Sequence, residues 1–452
     1  MMAKRIQTKK GLDIAIEGKP KLNTVELPIP DIIKIIPDHY PIIPKLSVRV
    51  GDKLEAGSAV LFDKNNPDIL VTSPVSGEVL AINRGERRKI LDITIAVDKT
   101  ISYKSFDSID WKKATADNIK TALLESGMWT YIKQRPYDCV ANPALTPKAI
   151  FISTYDSAPL APSYEYIVKE EAVAFQKGVD IIAKLTAGKV YLGVKANSDC
   201  NIFTEAKNVE VVRLDGPHPV GNPSVMIQQL EPMNKGNIMW TISLQAVLFI
   251  GRFATTGSVN FTKKVALSGP EVRTPQYYQT IVGAGIEDMI KDNVFDEKHL
   301  RYISGNVLTG TKIALDGCVA AADNQVTVIA EGDEVHEMIG WGMPRFNKFS
   351  VSRSYFSWLL RNKITPKFDA RIMGGKRAII MSGEYDNVFP FDIFPEYLIK
   401  AMITKDIDRM EVLGIYEVIP EDFALCEFVC TSKLEIQKIA QEAIDYMRQE
   451  ME

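Results

Sequence analysis

Histidine and cysteine are scarce in this 452-residue chain, which has His39, His218, His299 and His336 and, among thiols, only Cys139, Cys200, Cys318, Cys426 and Cys430. The imidazoles are scattered, and an odd number of thiols in a chain of this size argues against a disulfide framework and for a reducing compartment. Charge of one sign is lacking as well: 54 Lys and Arg against 57 Asp and Glu leave a net charge of −3. No electrostatic case for nucleic acid or an anionic membrane survives that balance. Long hydrophobic runs are absent. The strongest, Trp240 to Ala254, is broken by Thr241, Ser243, Gln245 and Arg252, too short and too polar to cross a bilayer. The segment Met1 to Pro20 carries Lys4, Arg5, Lys9 and Lys10 without an apolar core, so it does not read as a signal peptide. These absences together predict a cytoplasmic protein. Also missing are a phosphate loop, a nucleophile elbow and a Gly-x-Gly-x-x-Gly after a strand; Gly283-Ala-Gly285 runs into Ile-Glu-Asp and reads as a turn. No internal repeat or low-complexity linker is found.

What is present is ordinary globular composition, 46% apolar and 25% charged, in a chain long enough for about three domains. Between Val48 and Val79, short apolar runs (Leu46, Val48, Val50; Val60, Leu61, Phe62; Ile69, Leu70, Val71) alternate with Gly-Asp, Ala-Gly-Ser, Asn-Asn-Pro and Ser-Gly turns. This predicts a compact all-β unit, similar to the lipoyl/biotinyl-like barrel-sandwich fold. Lys64 is the one nearby candidate for a carrier lysine, but Asn65-Asn66-Pro67-Asp68 lengthens the hairpin and carrier flanks are missing, so it reads as a solvated turn residue. A helix is expected over Trp111 to Tyr131, strands over Lys148 to Ser153, Lys189 to Lys195 and Val209 to Leu214, and a helix over Tyr164 to Leu185. That alternation predicts a Rossmann-like α/β domain, whose ligands gather beyond the carboxyl ends of the strands, at the loops Thr154 to Ser163 and Asp215 to Ser224. From Lys264 the order of strand, hairpin and helix (Ile286 to Ile290) resembles a β-grasp domain of the soluble ligand-binding type, with more strands over Tyr302 to Glu331. A helical C-terminal region follows, its last helix started by a capping box at Ser432 and Glu435 and carrying Ile436, Ile439, Ala440, Ala443, Ile444 and Met447 on one face. The expected multi-domain division of this mixed α+β and α/β chain is 1–105, 106–258, 259–335 and 336–452.

Candidate sites are few. The loop Gly216-Pro217-His218-Pro219-Val-Gly221 fixes its backbone through two prolines and leaves one imidazole that either donates to a ligand carbonyl or shapes the loop by satisfying buried backbone groups. Met338-Ile-Gly-Trp341-Gly-Met343-Pro344 is an apolar loop of the kind enriched at interfaces, or one that folds into its own core. On one helix Cys426 and Cys430 would face the same side, yet two thiolates without further ligands do not complete a tetrahedral site and read as buried thiols. Trp240, Phe249 and Phe253 read as core.

Several motifs then occur in order: Ile6-x-x-Lys-Lys-Gly-Leu-Asp-Ile, Ser73-Pro-Val-Ser-Gly with Arg84-Gly-Glu-Arg-Arg, Ser126-Gly-Met-Trp with Arg135-Pro, Asp215-Gly-Pro-His-Pro, Ser304-Gly-Asn-Val-Leu-x-Gly, Asn347-Lys-Phe-Ser-Val-Ser-Arg and Glu421-Asp-Phe-Ala-Leu-Cys-x-Phe-Val-Cys. Over nearly its whole length the chain resembles the A-subunit family of the Na+-translocating NADH:quinone oxidoreductases. The resemblance implies a peripheral subunit on the cytoplasmic side of a bacterial inner membrane, one of six in its complex and docked chiefly on the membrane-embedded B subunit. It implies that the other five subunits hold the FAD, FMN, riboflavin and iron–sulfur centres, that electrons from NADH reach a quinone such as ubiquinone, and that Na+ is exported. This chain would bind no cofactor or metal and have no complete catalytic site of its own. A quinone-associated surface at Gly216, Pro217, His218 and Pro219 and a partner interface at Met338, Trp341 and Met343 are the sites expected under it. The alternatives are a docking subunit with no ligand, or a relative of the Rnf C subunit without its clusters; the run of cysteines that holds those clusters is missing. In the similar flavin subunit of complex I a glycine-rich loop cradles FMN. Met128 and Trp129 stand at the corresponding place, so the cradle is expected to be lost.

Overall fold

A computed structural model describes residues 4–295, 299–334, 342–343, 345–346, 348–351, 353–360 and 365–451. Its centre is a seven-stranded sheet in the order Lys4–Gln7, Glu210–Asp215, Lys189–Lys195, Ala149–Ser153, Met239–Ser243, Ile132–Arg135, Cys139–Val140. The first five strands are parallel neighbours, Ile132–Arg135 pairs antiparallel with Met239–Ser243, and Cys139–Val140 pairs antiparallel with Ile132–Arg135. Strand order reverses between Ala149–Ser153 and Met239–Ser243, the position at which doubly wound sheets open a ligand crevice.

Alternate residues of these strands feed two different cores, as a sheet covered on both faces requires. Ile150, Ile152, Leu192, Trp240 and Ile242 join one, with Ile119 and Leu123 of helix Ala116–Glu125, Phe175 and Val179 of helix Ala172–Ile182, and Val247 and Phe249 of helix Leu244–Thr256. Ala149, Phe151, Tyr191, Val212, Leu214 and Met239 join the other, with Met226 of helix Pro223–Leu230, Leu398 and Ile399 of helix Pro395–Thr404, and Ala440, Ile444 and Met447 of helix Ile436–Met451. The C-terminal helices therefore supply the second layer of the α/β sheet.

The barrel-sandwich follows the alternation read between Val48 and Val79. A four-stranded sheet (Ile32–Ile35, Ile90–Val97, Gly77–Arg84, Lys53–Leu54) closes against a three-stranded one (Pro44–Leu46, Ala59–Asp63, Leu70–Thr72). Ile33, Val60, Leu61, Val71, Val79, Ile93 and Ile95 are buried between them, and Lys64 lies exposed in the hairpin bend. In the β-grasp unit, helix Glu287–Ile290 packs Met289 and Ile290 on Val265, Leu267, Tyr278, Val326 and Val328.

Residues 4–30 belong to neither sheet of the sandwich. Lys4–Gln7 pairs in parallel with Glu210–Asp215, and Thr24–Glu26 pairs in parallel with Gln276–Ile281 at the edge of the six-stranded β-grasp sheet. The tie is non-local, and local periodicity carries no signal for it.

Four local expectations need correction. The helix expected over Trp111 to Tyr131 starts at Ala116, capped by Thr115, and stops at Glu125. Gly127 then turns left-handed (φ 75°) against Thr72 of the sandwich, and Met128–Tyr131 is a 3-10 turn. The helix expected over Tyr164 to Leu185 is split into Tyr164–Val168 and Ala172–Ile182, with Glu171 between them held by Arg252 at 2.6 Å. Ser432 does not cap the last helix, because its hydroxyl donates to the Ala378 carbonyl; the Glu427 carboxylate instead accepts the Gln437 N–H at 2.9 Å. Cys426 lies within helix Ala424–Val429, but Cys430 has already left it, so the two sulfurs do not share a helical face.

Candidate functional site

The carboxyl ends of the parallel strands form one crest, and three segments singled out in the sequence meet there. Strand Glu210–Asp215 delivers the loop 216–222, strand Ala149–Ser153 delivers Thr154 to Ser163, and strand Lys4–Gln7 delivers Lys9-Lys-Gly-Leu-Asp13. The last two lock the first in place. The His218 N–H donates to Asp13 Oδ1 at 2.9 Å, and its carbonyl accepts the Leu12 N–H at 2.9 Å. Its ring Nδ1 lies 3.0 Å from Ser157 Oγ, which also accepts the Gly221 N–H at 3.0 Å. Ser153 Oγ donates to the Gly221 carbonyl at 2.7 Å, and Arg5 pairs with Asp215 at 2.6 Å.

Two glycines make that approach possible. Gly11 (φ 138°) sits so close that a Cβ would fall 2.2 Å from the His218 carbonyl oxygen, and one on Gly216 (φ 139°) would fall 2.5 Å from the Thr8 carbonyl oxygen. Only glycine takes such backbone without strain. His218 is 3% exposed, and burial drives its pKa down to about 4, so the imidazole is neutral at physiological pH. Asp13 and Ser157, its partners, were not singled out as site residues, although both lie in segments the motif reading had marked. Gly216, Pro217, His218 and Pro219 are thus brought together in a closed loop whose ring faces protein.

At the place corresponding to a flavin cradle, the chain packs core. Met128 and Trp129 are fully buried, Trp129 Nε1 donates to the Ala141 carbonyl at 2.7 Å, and its ring meets Trp240 edge to face at 5.3 Å. A Cβ on Gly127 would meet Thr72 Oγ1 at 2.5 Å, so the glycine admits the sandwich. Of the expected interface residues, Met338 and Trp341 lie outside the described residues, and Met343 is exposed. Cys426 and Cys430 are buried; the Tyr385 hydroxyl lies 3.0 Å from Cys430 Sγ, and burial pushes the Cys426 thiol well above the ordinary thiol range.

A second polar cluster lies in the β-grasp unit where the sandwich approaches it. Lys263, on strand Thr262–Ser268, donates to the Ala320 and Asp323 carbonyls at 2.8 Å each, and burial lowers its pKa to about 8. Nearby His39 of the sandwich is pushed down to about 4, by burial first and then by Lys263. Tyr40 meets Tyr131 edge to face at 6.2 Å.

Family profiles match along the chain: the NqrA N-terminal barrel-sandwich hybrid domain at residues 6–98, the NqrA second alpha/beta domain at 114–259, and the NQRA C-terminal domain at 264–314. The chain is 34% identical over 450 residues to the A subunit of the Na(+)-translocating NADH-quinone reductase of Vibrio atlanticus (strain LGP32), covering 98% of this chain and 100% of the relative. The chain belongs to this family of A subunits. The Neisseria meningitidis serogroup A member is 33% identical over 450 residues, with the same coverage. Among solved structures, an NAD+-reducing [NiFe]-hydrogenase in the air-oxidised state aligns at 12% identity with a TM-score of 0.35, over 51% of this chain and 52% of that one; the score is too low to carry an argument. Among the described residues no helix is long and apolar enough to cross a membrane.

Proposed function

We propose that the chain is the peripheral A subunit of a Na+-translocating NADH:quinone reductase. In this reading it contributes docking and quinone-associated surface while its partner subunits carry the flavin and iron–sulfur centres. The observation that carries the reading is end-to-end similarity to proteins bearing that name, 98% of this chain against 100% of theirs. The physical support is the filled crest. At the carboxyl ends of the outer parallel strands this chain packs its own N-terminal segment onto the Gly-Pro-His-Pro loop, and after helix Ala116–Glu125, where the resemblance places a flavin loop, it packs Met128 and Trp129 as core. Membrane attachment then comes through the partners, chiefly the B subunit on the cytoplasmic side.

The test is affinity purification of the tagged chain from detergent-solubilised membranes of its own host, with a deletion strain assayed for NADH-driven quinone reduction and Na+ uptake. Five companion subunits and loss of both activities in the deletion are expected. A chain that purifies alone from a strain whose deletion keeps both activities overturns the proposal.

For the loop 215–222, the burial of His218 and its bonds to Asp13 and Ser157 favour a pinning role for the imidazole. Direct quinone contact by Gly216, Pro217, His218 and Pro219 is the second reading, favoured by the loop's position at the strand ends. His218→Ala in the assembled complex is expected to leave the quinone KM unchanged, and a raised KM with intact NADH-to-flavin transfer would move the quinone to this loop.

A further inference from the structure

The motif Arg84-Gly-Glu-Arg-Arg88 has no part in the crest. It forms the tip of a hairpin of the barrel-sandwich, where strands Gly77–Arg84 and Ile90–Val97 run on past the pair Ile82 and Ile93 to set Asn83 opposite Asp92 and Arg84 opposite Ile90. The turn Glu86–Arg88 closes it. The Gly85 N–H donates to the Lys89 carbonyl at 2.9 Å, the Lys89 N–H to the Glu86 carbonyl at 3.1 Å, and Arg84 Nη1 to the Arg88 carbonyl at 3.1 Å. Below the turn, Asn83 Nδ2 donates to Asp92 Oδ1 at 2.9 Å. These bonds fix the backbone of the tip, while Arg84, Glu86, Arg87, Arg88 and Lys89 are all exposed. Of the five, Lys89 alone forms an ion pair among the described residues, with Asp38 at 2.6 Å.

Two features set this turn apart from an ordinary solvated charge run. Arg87 (φ 52°, ψ 25°) and Arg88 (φ 63°) both take the left-handed conformation, which a Cβ disfavours and which glycine adopts freely. Together with Arg84 they also place three guanidinium groups within five residues of chain, against the single carboxylate of Glu86. Like charges so close repel, and a turn shaped for its own stability would hold neither feature. Strain of this kind persists where it presents a side chain for use.

Guanidinium forks take carboxylate and phosphate alike. Glu86 decides between them. A layer of lipid phosphates would press its negative charge against that carboxylate, whereas a protein surface can set acids against the arginines and a donor against Glu86. Leu91, 47% exposed, lies over Gly85 and adds an apolar contact beside the charges. On the reading of the chain as one subunit of a larger complex, we propose that the hairpin tip 84–89 is a docking point for an acidic segment of a companion subunit, with Arg87 and Arg88 each meeting a carboxylate. Arginine is enriched at such contacts because one planar group makes two parallel bonds to a carboxylate.

The test adds the purified full chain to the detergent-solubilised complex of a strain that lacks it, and measures affinity at low and at raised salt. Wild-type chain is expected to bind, and to bind more weakly as salt screens the contact. The double variant Arg87→Glu/Arg88→Glu should bind roughly tenfold or more weakly at low salt and lose most of the salt dependence. Arg87→Gly/Arg88→Gly, whose backbone fits the turn, should lose affinity too while the urea midpoint of the free chain stays at the wild-type value. A benzophenone side chain in place of Leu91 should cross-link to an Asp- or Glu-rich peptide of a companion. Variants that bind the complex as tightly as wild type overturn the docking point and leave the subunit reading intact, whereas a wild-type chain that binds no companion overturns both. Binding to phosphatidylglycerol vesicles that depends on Arg87 and Arg88, with undiminished affinity of the variants for the complex, would assign the tip to lipid and also overturn the docking point.

Discussion

His218 shows how a single side chain converts burial into pH dependence. Its pKa is about 4 in the folded chain against 6.5 in the open, so between those values the unfolded chain binds a proton that the folded one refuses. The contribution is therefore fully present above pH 6.5 and lost as pH falls toward 4, a loss on the order of 3 kcal/mol for the buried ring. His39 adds in the same direction. His218→Ala removes the ring that touches Ser157 and leaves a void, so it should cost about 1–3 kcal/mol at pH 7. It should also flatten the acid limb of the stability profile. Urea unfolding at pH 7 and pH 5 checks both effects, and an unchanged acid limb would mean that the ring does not titrate with folding. Sequence marked His218 because prolines and glycines surround it. It could not show that Asp13 and Ser157 hold it, since those contacts span 205 and 61 positions.

Elements were legible where one residue pattern decided them. The strands read over Lys148 to Ser153, Lys189 to Lys195 and Val209 to Leu214 lie within a residue of those observed; the first two are buried on both faces and read as continuous apolar runs, and the third is half-buried with Val212 and Leu214 inward. Helix ends were misread where a tertiary partner sets them: the sandwich at Gly127, Arg252 at Glu171, Glu427 at the last helix. Helix pairing was equally hidden. Helix Leu244–Thr256 crosses helix Ala172–Ile182 so tightly that a Cβ on Gly251 would lie 1.7 Å from the Ala174 carbonyl oxygen. On an exposed helix Gly→Ala gains about 1 kcal/mol. Here the overlap is with backbone and cannot be relieved by a side-chain rotation, so Gly251→Ala is expected to lose roughly 2–4 kcal/mol. A lower urea midpoint with unchanged slope is the expected result, whereas a raised midpoint would show that the helices are free to part.

At the scale of the molecule, segments far apart in sequence complete one another's cores, and the N-terminus is where that dependence is greatest. Ile6, Ile14 and Ile16 are buried in the core shared with the C-terminal helices, the Gly269 N–H donates to the Gly18 carbonyl at 3.0 Å, and Gly11 to Asp13 close over His218. Removing residues 1–20 would strip three buried isoleucines, each worth roughly 1.5–3 kcal/mol of burial. It would also bare strand Glu210–Asp215 as an open parallel edge. That sum rivals the whole stability of an ordinary domain, and an uncovered edge invites pairing between chains. The truncated chain is therefore expected to aggregate, or to lose hydrogen-exchange protection across 210–222 and 395–451, while the sandwich strands between Ile32 and Val97 keep theirs because their hydrogen bonds are their own. A monomeric truncated chain with wild-type protection over 210–222 would make the N-terminal segment an appendage rather than a part of the fold.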